Sequence, residues 1–325
     1  MLNKIIQGDS LEVLKTLENE SIDCVITSPP YWSLRDYGVE GQLGLEMTFQ
    51  EYITKLCDIF DEVKRVLKKE GTIWVNLGDT YGGTGKKSDT NDKYAKGLAR
   101  AFDRPNGKEK QKCLLQIPSH FAIEMVNRGW ILRNKIIWHK PNAMPSSAKD
   151  RFTVDFEEVF FFVKKKKYYF ETQYDPYAPS SDARYRQALR AGKSYTTKEP
   201  YKKNTPYTGK YKRGQGSVAS RGDDGDGLVV VGTNPNGRNR RTVWSINTKP
   251  LKDAHFATFP EALIEPMVLA GCPEGGVVLD IFMGAGTTAV VAKKNNRNYL
   301  GIELNFEYIK IIENRIKNIP NTLFK

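Results

Sequence analysis

Long hydrophobic runs and signal-peptide features are missing from this sequence of 325 residues. No apolar stretch approaches the roughly 18–20 residues that cross a bilayer. The first residues, Met1 to Asp9, read as a short strand and a turn, which is not the pattern of a signal peptide. We therefore expect a cytoplasmic protein with no membrane segment.

Residues that hold metals or form disulfides are also few. The four cysteines are far apart and form no CxxC pair: Cys24, Cys57, Cys113 and Cys272. This spacing argues against a structural zinc site and against a disulfide framework. The three histidines lie on different predicted elements and lack metal-ligand spacing: His120, His139 and His255. We expect no metal site.

Positive charge is abundant, and it is unevenly distributed. The net charge is +12, and between Lys164 and Arg241 there are 18 Lys and Arg residues against 7 Asp and Glu. Nine of the 16 tyrosines lie between Tyr168 and Tyr211. Disordered segments are usually poor in aromatics, whereas nucleic-acid-binding surfaces combine cations with stacking rings. The composition favours a nucleic-acid-binding region, with a solvated, partly disordered insert as the alternative.

Outside this basic stretch, strand-like and helix-like segments alternate. Strands are predicted at 4–7, 22–27, 72–77, 131–139, 159–163, 277–281 and 299–303. Predicted helices lie between them, and one begins at the capping box of Thr48 and ends near Gly71. Apolar strands alternating with helices predict a doubly wound, mostly parallel, Rossmann-like α/β fold. The chain then divides into one half of this domain at 1–169, a basic insert at 170–242 and the second half at 243–325.

A strand, a tight glycine turn and a helix follow one another in Val277–Thr288. In an open α/β sheet, a nucleotide-like ligand lies beyond the carboxyl end of such a strand. Gly284 and Gly286 let the backbone approach that ligand without a Cβ in the way. The third glycine of the dinucleotide pattern is absent, because Thr288 and Ala289 follow instead.

Polar residues around this turn favour S-adenosylmethionine over NAD as the ligand. Glu303 ends the next strand at about the 20-residue spacing expected of a ribose-binding carboxylate. Asp280 would repel a pyrophosphate but suits the cationic methionine end of S-adenosylmethionine. Asn305 follows as a helix N-cap that shapes a ribose and adenine pocket. We therefore predict S-adenosylmethionine as the cofactor.

The apolar strand at 22–27 runs into a rigid turn, Ser28-Pro29-Pro30-Tyr31. Its two prolines fix φ and remove two N–H donors. An exocyclic base amine is a poor nucleophile because its lone pair is delocalised into the ring. Two acceptors on its N–H bonds, from Ser28 Oγ and the Pro29 carbonyl, would concentrate that lone pair toward an electrophile, while Tyr31 would stack on the base. The turn therefore predicts amine methylation, with positioning and charge stabilisation as the source of rate.

These motifs together resemble the amino-methyltransferases of bacterial restriction–modification systems, of the beta class, in which the catalytic motif precedes the cofactor motif. The resemblance covers most of residues 1–170 and 242–320. It rests on Gly8–Ser10, Thr27–Tyr31, Trp138–Asn142, His255–Pro260 and Phe282–Thr288 with Glu303. It implies that the cofactor is bound by Asp9, Phe259, Pro260, Phe282, Gly284, Gly286 and Glu303. It also implies that 170–242 is the target-recognition region and that 1–169 and 243–325 are the catalytic and cofactor-binding halves. We also predict cofactor contacts for Thr287 and Thr288, which directly follow the turn.

The base that is methylated depends on Ser28. In the family that the chain resembles, serine at this position accompanies methylation of cytosine N4, while aspartate or asparagine usually accompanies methylation of adenine N6. We expect cytosine N4 and keep adenine N6 as the alternative. A C5-cytosine mechanism needs a nucleophilic cysteine, typically preceded by proline. Cys272-Pro273 has the reverse order, so that mechanism is set aside.

Several basic residues are candidates for contact with DNA. They are Lys164, Lys165, Arg238, Arg240 and Arg241. Lys164 and Lys165 follow an apolar strand, and a solvated strand end is an equally good interpretation. The loop that includes Trp32, Arg35 and Tyr37 is a candidate for filling the gap left by a flipped base.

Double-stranded DNA is the expected partner, and other functions and partners stay open. A non-catalytic nucleic-acid-binding protein on the same fold is the alternative of another class. An RNA or protein methyltransferase is a further one, although the basic, aromatic insert favours DNA. A homodimer and a cognate restriction endonuclease, the latter as a genetic partner only, are open as well.

Overall fold

The computed structural model describes residues 2–34, 37–82, 110–177, 236–249 and 259–319, together with the backbone of 220–221 and 228–229. The chain forms two compact units. The larger unit consists of Met1–Glu171 and Thr242–Lys325, and the smaller one of Thr172–Arg241.

The larger unit alternates strands and helices as the sequence predicts. Its strands are β1 (Lys4–Gln7), β2 (Ile22–Thr27), β3 (Leu67–Leu77), β4 (Ile131–His139), β5 (Phe156–Val163), β10 (Val243–Ser245), β11 (Val277–Asp280) and β12 (Asn298–Glu303). Its helices are α1 (Ser10–Thr16), α2 (Phe49–Val66), α3 (Ile117–Asn127), α4 (Glu261–Gly271), α5 (Thr287–Lys294) and α6 (Phe306–Lys317).

The eight strands form one sheet in the order β1-β12-β11-β2-β3-β5-β4-β10. β5 pairs antiparallel with both of its neighbours, and the other pairs are parallel. The carboxyl ends of the seven other strands therefore meet at one edge of the sheet, where the amino end of β5 also lies. We call this edge the carboxyl edge of the sheet.

Both faces of the sheet are covered, which confirms the doubly wound, Rossmann-like fold. In β2, Val25 belongs to a core cluster that contains side chains of α1, α2 and α3. Its neighbours Cys24 and Ile26 belong to a second cluster with side chains of α4, α5 and α6. This alternation follows from the two-residue period of a strand, which sends successive side chains to opposite faces.

Helix α2 begins where the sequence predicts and ends earlier. Thr48 Oγ1 accepts a hydrogen bond from the Glu51 N–H, and the Glu51 carboxylate accepts one from the Thr48 N–H, so the capping box is confirmed. The predicted end near Gly71 is wrong, because the helix ends at Val66 and Leu67 already pairs with Ile22 of β2. Sheet pairing thus takes residues that helical periodicity alone assigns to α2.

In the described part of the smaller unit, the regular secondary structure consists of short strands. β6 (Tyr174–Asp175) pairs antiparallel with β9 (Arg238–Asn239), and β7 (Ser220–Arg221) pairs antiparallel with β8 (Leu228–Val229). The unit has 14 Lys and Arg residues against 6 Asp and Glu, which gives it a net charge of +8. Its predicted role in target recognition stays a prediction.

Neither a membrane-spanning helix nor a metal-binding cluster is found among the described residues. None of the helices there is both long and apolar enough to span a membrane. Within the same residues, no group of three or more His, Cys, Asp or Glu side chains is placed to hold a metal ion. All four cysteines are free thiols, and Cys24, Cys57 and Cys272 are buried.

Candidate active site

A cavity of about 520 Å³ opens at the carboxyl edge of the larger unit. Its wall is built from the segments that follow β1, β2, β4, β11 and β12, the end of β3 and the start of β5. Eleven predicted site residues line it: Asp9, Ser28, Pro29, Pro30, Tyr31, Phe259, Phe282, Gly284, Thr287, Glu303 and Asn305. The catalytic and cofactor motifs, some 250 residues apart in the chain, thus share one cavity.

Glu303 ties the glycine turn to the end of β12. Its Oε2 accepts a hydrogen bond of 2.7 Å from the Gly284 N–H, and its Oε1 accepts one of 2.8 Å from the Asn305 N–H. Burial raises the pKa of Glu303 above its ordinary value, and these backbone N–H groups oppose that shift. The carboxylate is therefore held in one orientation at the cavity wall.

Asp9 and Ser10 connect the end of β1 to the same wall. Asp9 is the N-cap of α1, and its Oδ1 accepts hydrogen bonds from the N–H groups of Leu11 and Glu12. Ser10 Oγ donates a 2.6 Å hydrogen bond to the carbonyl of Ile281, beside the glycine turn. Ser10 lines the cavity as well, and sequence reasoning gave it no role.

The structure places Asp280 and Thr288, which are predicted to contact the cofactor, behind the cavity wall. Both side chains are completely buried and neither lines the cavity. The Asp280 carboxylate accepts hydrogen bonds from Thr27 Oγ1 (2.6 Å), Thr288 Oγ1 (2.7 Å) and the Phe282 N–H (3.1 Å). Asp280 therefore joins the ends of β2 and β11 to the start of α5.

Gly286 and Pro260 also lie behind the cavity wall. Gly286 is the N-cap of α5 at φ 78°, and a Cβ there would lie 2.7 Å from the Ile312 side chain of α6. Glycine at this position allows the left-handed backbone and the close packing of α6 against the turn. Pro260 is buried at the N-cap of α4, and only its neighbour Phe259 reaches the cavity.

The Ser28–Tyr31 turn is anchored on two sides. Tyr52 of α2 donates a 2.9 Å hydrogen bond from its hydroxyl to the Pro30 carbonyl. The Tyr31 ring packs against Gly78, where a Cβ would lie 2.6 Å from the ring. Both contacts hold the turn in one conformation at the carboxyl end of β2.

A polar cluster that sequence reasoning missed surrounds the Tyr31 hydroxyl, which donates a 2.7 Å hydrogen bond to Glu157 Oε2. Asn76 Nδ2 lies 2.7 Å from both the Tyr31 hydroxyl and Glu157 Oε2, and 3.4 Å from Ser28 Oγ. Lys140 pairs with Glu157 Oε1. All five residues line the cavity.

This cluster depends on the antiparallel placement of β5. Glu157 is near the amino end of β5, which lies at the carboxyl edge only because β5 runs against its neighbours. Asn76 is a polar residue between the apolar Val75 and Leu77 in the buried second half of β3, and this is the one sequence signal that could have drawn attention to it.

Lys164, a predicted phosphate contact, lies away from the cavity. Lys164 follows β5 at the edge opposite the cavity, and its Nζ donates a 2.6 Å hydrogen bond to the Leu67 carbonyl. Burial lowers the pKa of Lys164 below its ordinary value. Lys165 is exposed at the same far edge. Neither lysine lies near the Ser28 turn.

The other predicted DNA contacts have mixed outcomes. Arg238 lies in β9 of the smaller unit, and Arg240 and Arg241 follow it, so their contacts with DNA stay predictions. Trp32 cannot fill a gap in a duplex, because it is buried and donates a hydrogen bond to the Glu46 carbonyl. Arg35, residues 178–219 and His255–Thr258 lie outside the described residues.

The sequence matches the DNA methylase family, of the N6 and N4 type, over residues 22–314. The chain belongs to this family. Curated members include Type II methyltransferase M.Cfr9I from Citrobacter freundii, which is 40% identical over 96% of this chain and 87% of its own. Type II methyltransferase M.SmaI from Serratia marcescens is 39% identical over 96% of this chain and 90% of its own.

Solved structures share the fold of this DNA methylase. The PvuII DNA methyltransferase, described as cytosine-N4-specific, has a TM-score of 0.61 at 19% identity and covers 100% of this chain and 89% of its own. A DNA modification methylase from Thermus thermophilus, solved with S-adenosyl-L-methionine, has a TM-score of 0.57 at 20% identity, with 98% and 95% covered.

Proposed function

We propose that this DNA methylase transfers a methyl group from S-adenosylmethionine to the N4 amine of cytosine in duplex DNA. The observation that carries the proposal is the single cavity lined by both Ser28–Tyr31 and the Phe282–Gly284 turn. A binding protein without catalysis has no need for both motifs in one cavity. Membership in the family and the Type II relatives support the methylase activity and a place in a restriction–modification system.

The residues at the glycine turn fit S-adenosylmethionine. Phe259 and Phe282 offer apolar surface, and Glu303 is a fixed carboxylate that can accept hydrogen bonds from hydroxyl groups. The turn at Gly284 has φ 54°, with no heavy atom closer than 3.9 Å to the place of a Cβ, so a ligand can approach the backbone. When bound, the cofactor supplies an electrophilic methyl group on a sulfonium.

The Ser28 turn would make the base amine nucleophilic. Ser28 Oγ and the Pro29 carbonyl would accept hydrogen bonds from the two N–H bonds, which draws the nitrogen away from planarity. Because Tyr52 and Gly78 hold the turn rigid, the acceptors are in place before the base enters. The Tyr31 hydroxyl is anchored, so only its ring could meet the base.

The base must leave the double helix to reach Ser28, because the amine of a paired base is inside the duplex. We infer that the target base is flipped into the cavity, as enzymes that modify bases do. The basic, tyrosine-rich unit at 172–241 supplies the charge for contact with the phosphate backbone. Its proposed role is target recognition.

Ser28 supports cytosine as the base, because the family resemblance links serine here with cytosine N4. Adenine N6 is the second candidate. Incubation of DNA with labelled S-adenosylmethionine, digestion to nucleosides and mass spectrometry separates the two. We expect N4-methylcytosine, whereas N6-methyladenine would overturn the base assignment. A complete lack of label would overturn the enzymatic function and favour a binding protein.

Substitution Ser28→Ala tests the catalytic assignment. Loss of one preorganised hydrogen-bonding group at a reacting centre lowers the rate by about 10²–10³-fold. We expect that loss in single-turnover methyl transfer, with an unchanged dissociation constant for S-adenosylmethionine. The matched control is Ser119→Ala on α3, which removes a hydroxyl away from the cavity and should leave both values unchanged. If Ser28→Ala lost cofactor affinity together with rate, the division between the two motifs would be wrong.

A further inference from the structure

A chain of hydrogen bonds leads from Ser28 into the wall of the cavity. Ser28 Oγ can donate to the Tyr31 hydroxyl at 3.5 Å, and the Tyr31 hydroxyl donates to Glu157 Oε2 at 2.7 Å. The chain starts at the oxygen proposed to meet the amine and ends on a carboxylate. Each link is a group that can pass on a proton.

The partners of Glu157 fix the direction of this chain. An ionised carboxylate only accepts hydrogen bonds, so the Tyr31 proton points toward Glu157 and its oxygen lone pairs point away. Asn76 Nδ2 can donate to the same carboxylate oxygen, while Lys140 pairs with the other one. Tyr31 can then accept the Ser28 proton, which leaves the Ser28 lone pairs for the substrate.

Other carboxylates that line the cavity have different partners. Glu303 accepts hydrogen bonds from the Gly284 and Asn305 N–H groups, and Asp9 caps α1. Glu46 accepts one from the Gly44 N–H and pairs with Lys55 at 3.5 Å. Glu157 is the carboxylate to which the Tyr31 hydroxyl donates, and this bond connects it to the Ser28–Tyr31 turn.

We propose that Glu157 is the final acceptor of the proton that the base amine loses, reached through Ser28 and Tyr31. This inference rests on the proposed function. Asn76 cannot take the proton, because a side-chain amide is not protonated near neutral pH. Its Nδ2 hydrogen-bonds with Tyr31 and Glu157 and holds both in place. Lys140 keeps a positive charge beside the carboxylate that must ionise again before the next turnover.

The step balances in atoms and charge. The nitrogen lone pair forms the new C–N bond as the C–S bond of the sulfonium methyl donor breaks, and the electron pair of that bond stays on sulfur. One amine proton moves to Ser28 Oγ, the Ser28 proton moves to Tyr31, and the Tyr31 proton moves to Glu157 Oε2. The products are a neutral methylated amine, a thioether and a carboxylic acid at Glu157.

Substitution Glu157→Gln tests the relay, because glutamine keeps the size and an acceptor oxygen but does not take up the proton. Proton transfer at a reacting group contributes about 10²–10⁴-fold to rate. We expect the single-turnover rate constant to fall by about 10²-fold or more, with unchanged dissociation constants for S-adenosylmethionine and DNA. The matched control is Glu158→Gln, because Glu158 faces the other side of β5 and pairs with Lys135. It should transfer at the wild-type rate.

A second variant, Tyr31→Phe, breaks the chain in its middle and leaves the Glu157–Lys140 pair in place. Groups that act as one unit lose activity together, so the double variant should be no slower than the slower single variant. If the rate loss of the double variant equals the product of the two single-variant losses, the two residues act independently. That result would overturn the relay and give Glu157 a separate structural role. If Glu157→Gln fails to bind cofactor, Tyr31→Phe decides, and a wild-type rate in that variant overturns the proposal.

The failure of the relay is distinguishable from the failure of the proposed function. A wild-type enzyme that methylates DNA together with a fully active Glu157→Gln variant rejects the relay alone. A wild-type enzyme that transfers no methyl group to DNA rejects the proposed function, and the relay with it.

Discussion

Asp280 is a carboxylate at the end of a central strand whose place in the sequence suggests a ligand contact. The structure instead buries it completely and gives its oxygens two hydroxyl donors and one backbone donor. Burial raises the pKa of Asp280 from 3.8 to about 6, although these hydrogen bonds oppose the shift. Asp280 therefore connects β2, β11 and α5 at the edge of the sheet that carries the cavity.

The raised pKa of Asp280 predicts a specific pH dependence of stability. The folded state binds the proton more tightly than the unfolded state, so the stability that Asp280 contributes is highest below its unfolded pKa of 3.8 and falls as pH rises to about 6. The full change is on the order of 3 kcal/mol. Substitution Asp280→Asn removes the titration and changes the hydrogen bonds to Thr27 and Thr288 by a pH-independent amount.

Denaturant unfolding of both proteins between about pH 4 and 7 measures this effect. The free energy of unfolding of the wild type minus that of Asp280→Asn should decrease between pH 3.8 and about 6 and stay constant above. A difference that does not change with pH would mean that Asp280 titrates equally in the folded and unfolded states.

At the scale of single elements, periodicity and caps predicted most of the strands and helices of the larger unit. The Thr48 capping box fixed the start of α2, and the apolar segments fixed the strands on either side. Periodicity could not predict the end of α2, because Leu67 fits the helical face but pairs with Ile22. Local pattern carries no information about such a long-range strand pairing.

The same limit explains which site residues the sequence predicted. Ser28 and Phe282 follow apolar strands in turns with recognisable chemistry, and both line the cavity. Glu157 lies two residues before the strand predicted at 159–163, and only the antiparallel place of β5 between β3 and β4 brings it to Tyr31. The sequence of β5 does not reveal that the strand runs antiparallel to β3 and β4.

The glycine turn yields a prediction from its two positive-φ residues. A left-handed backbone costs an alanine about 1–2 kcal/mol, so both Gly284→Ala and Gly286→Ala should lower the free energy of unfolding. Gly286→Ala should lower it more, because its Cβ would lie 2.7 Å from Ile312, whereas the nearest heavy atom to a Cβ at Gly284 is 3.9 Å away. Denaturant unfolding without cofactor measures both values.

Cofactor affinity should show the opposite order for these two variants. Gly284 lines the cavity and Gly286 does not, so Gly284→Ala should weaken S-adenosylmethionine binding more than Gly286→Ala. Titration calorimetry at a temperature where both variants are folded gives the two dissociation constants. Equal losses of affinity would show that the ligand does not approach the backbone at Gly284.

At the scale of the whole molecule, charge is divided unequally between the two units. Of the net charge of +12, +8 belongs to Thr172–Arg241, although this unit holds less than a quarter of the chain. The larger unit has carboxylates around its cavity, among them Asp9, Glu157 and Glu303, and these repel a phosphate backbone. A separate basic unit can supply electrostatic affinity for DNA without changing the charges that the chemistry requires.

This division predicts which basic residues control DNA binding. The double variant Arg240→Glu/Arg241→Glu should weaken binding to DNA of any sequence, because phosphate contacts carry no sequence information. It should also reduce the slope of log affinity against log salt by about 2, or about one for each lost phosphate contact.

The matched variant Lys165→Glu/Lys166→Glu makes the same change of charge at the sheet edge opposite the cavity, and it should alter neither value. Fluorescence anisotropy with a labelled duplex at several salt concentrations measures both variants. A larger loss in the lysine variant would place the DNA at the far edge of the sheet, where a base could not reach Ser28.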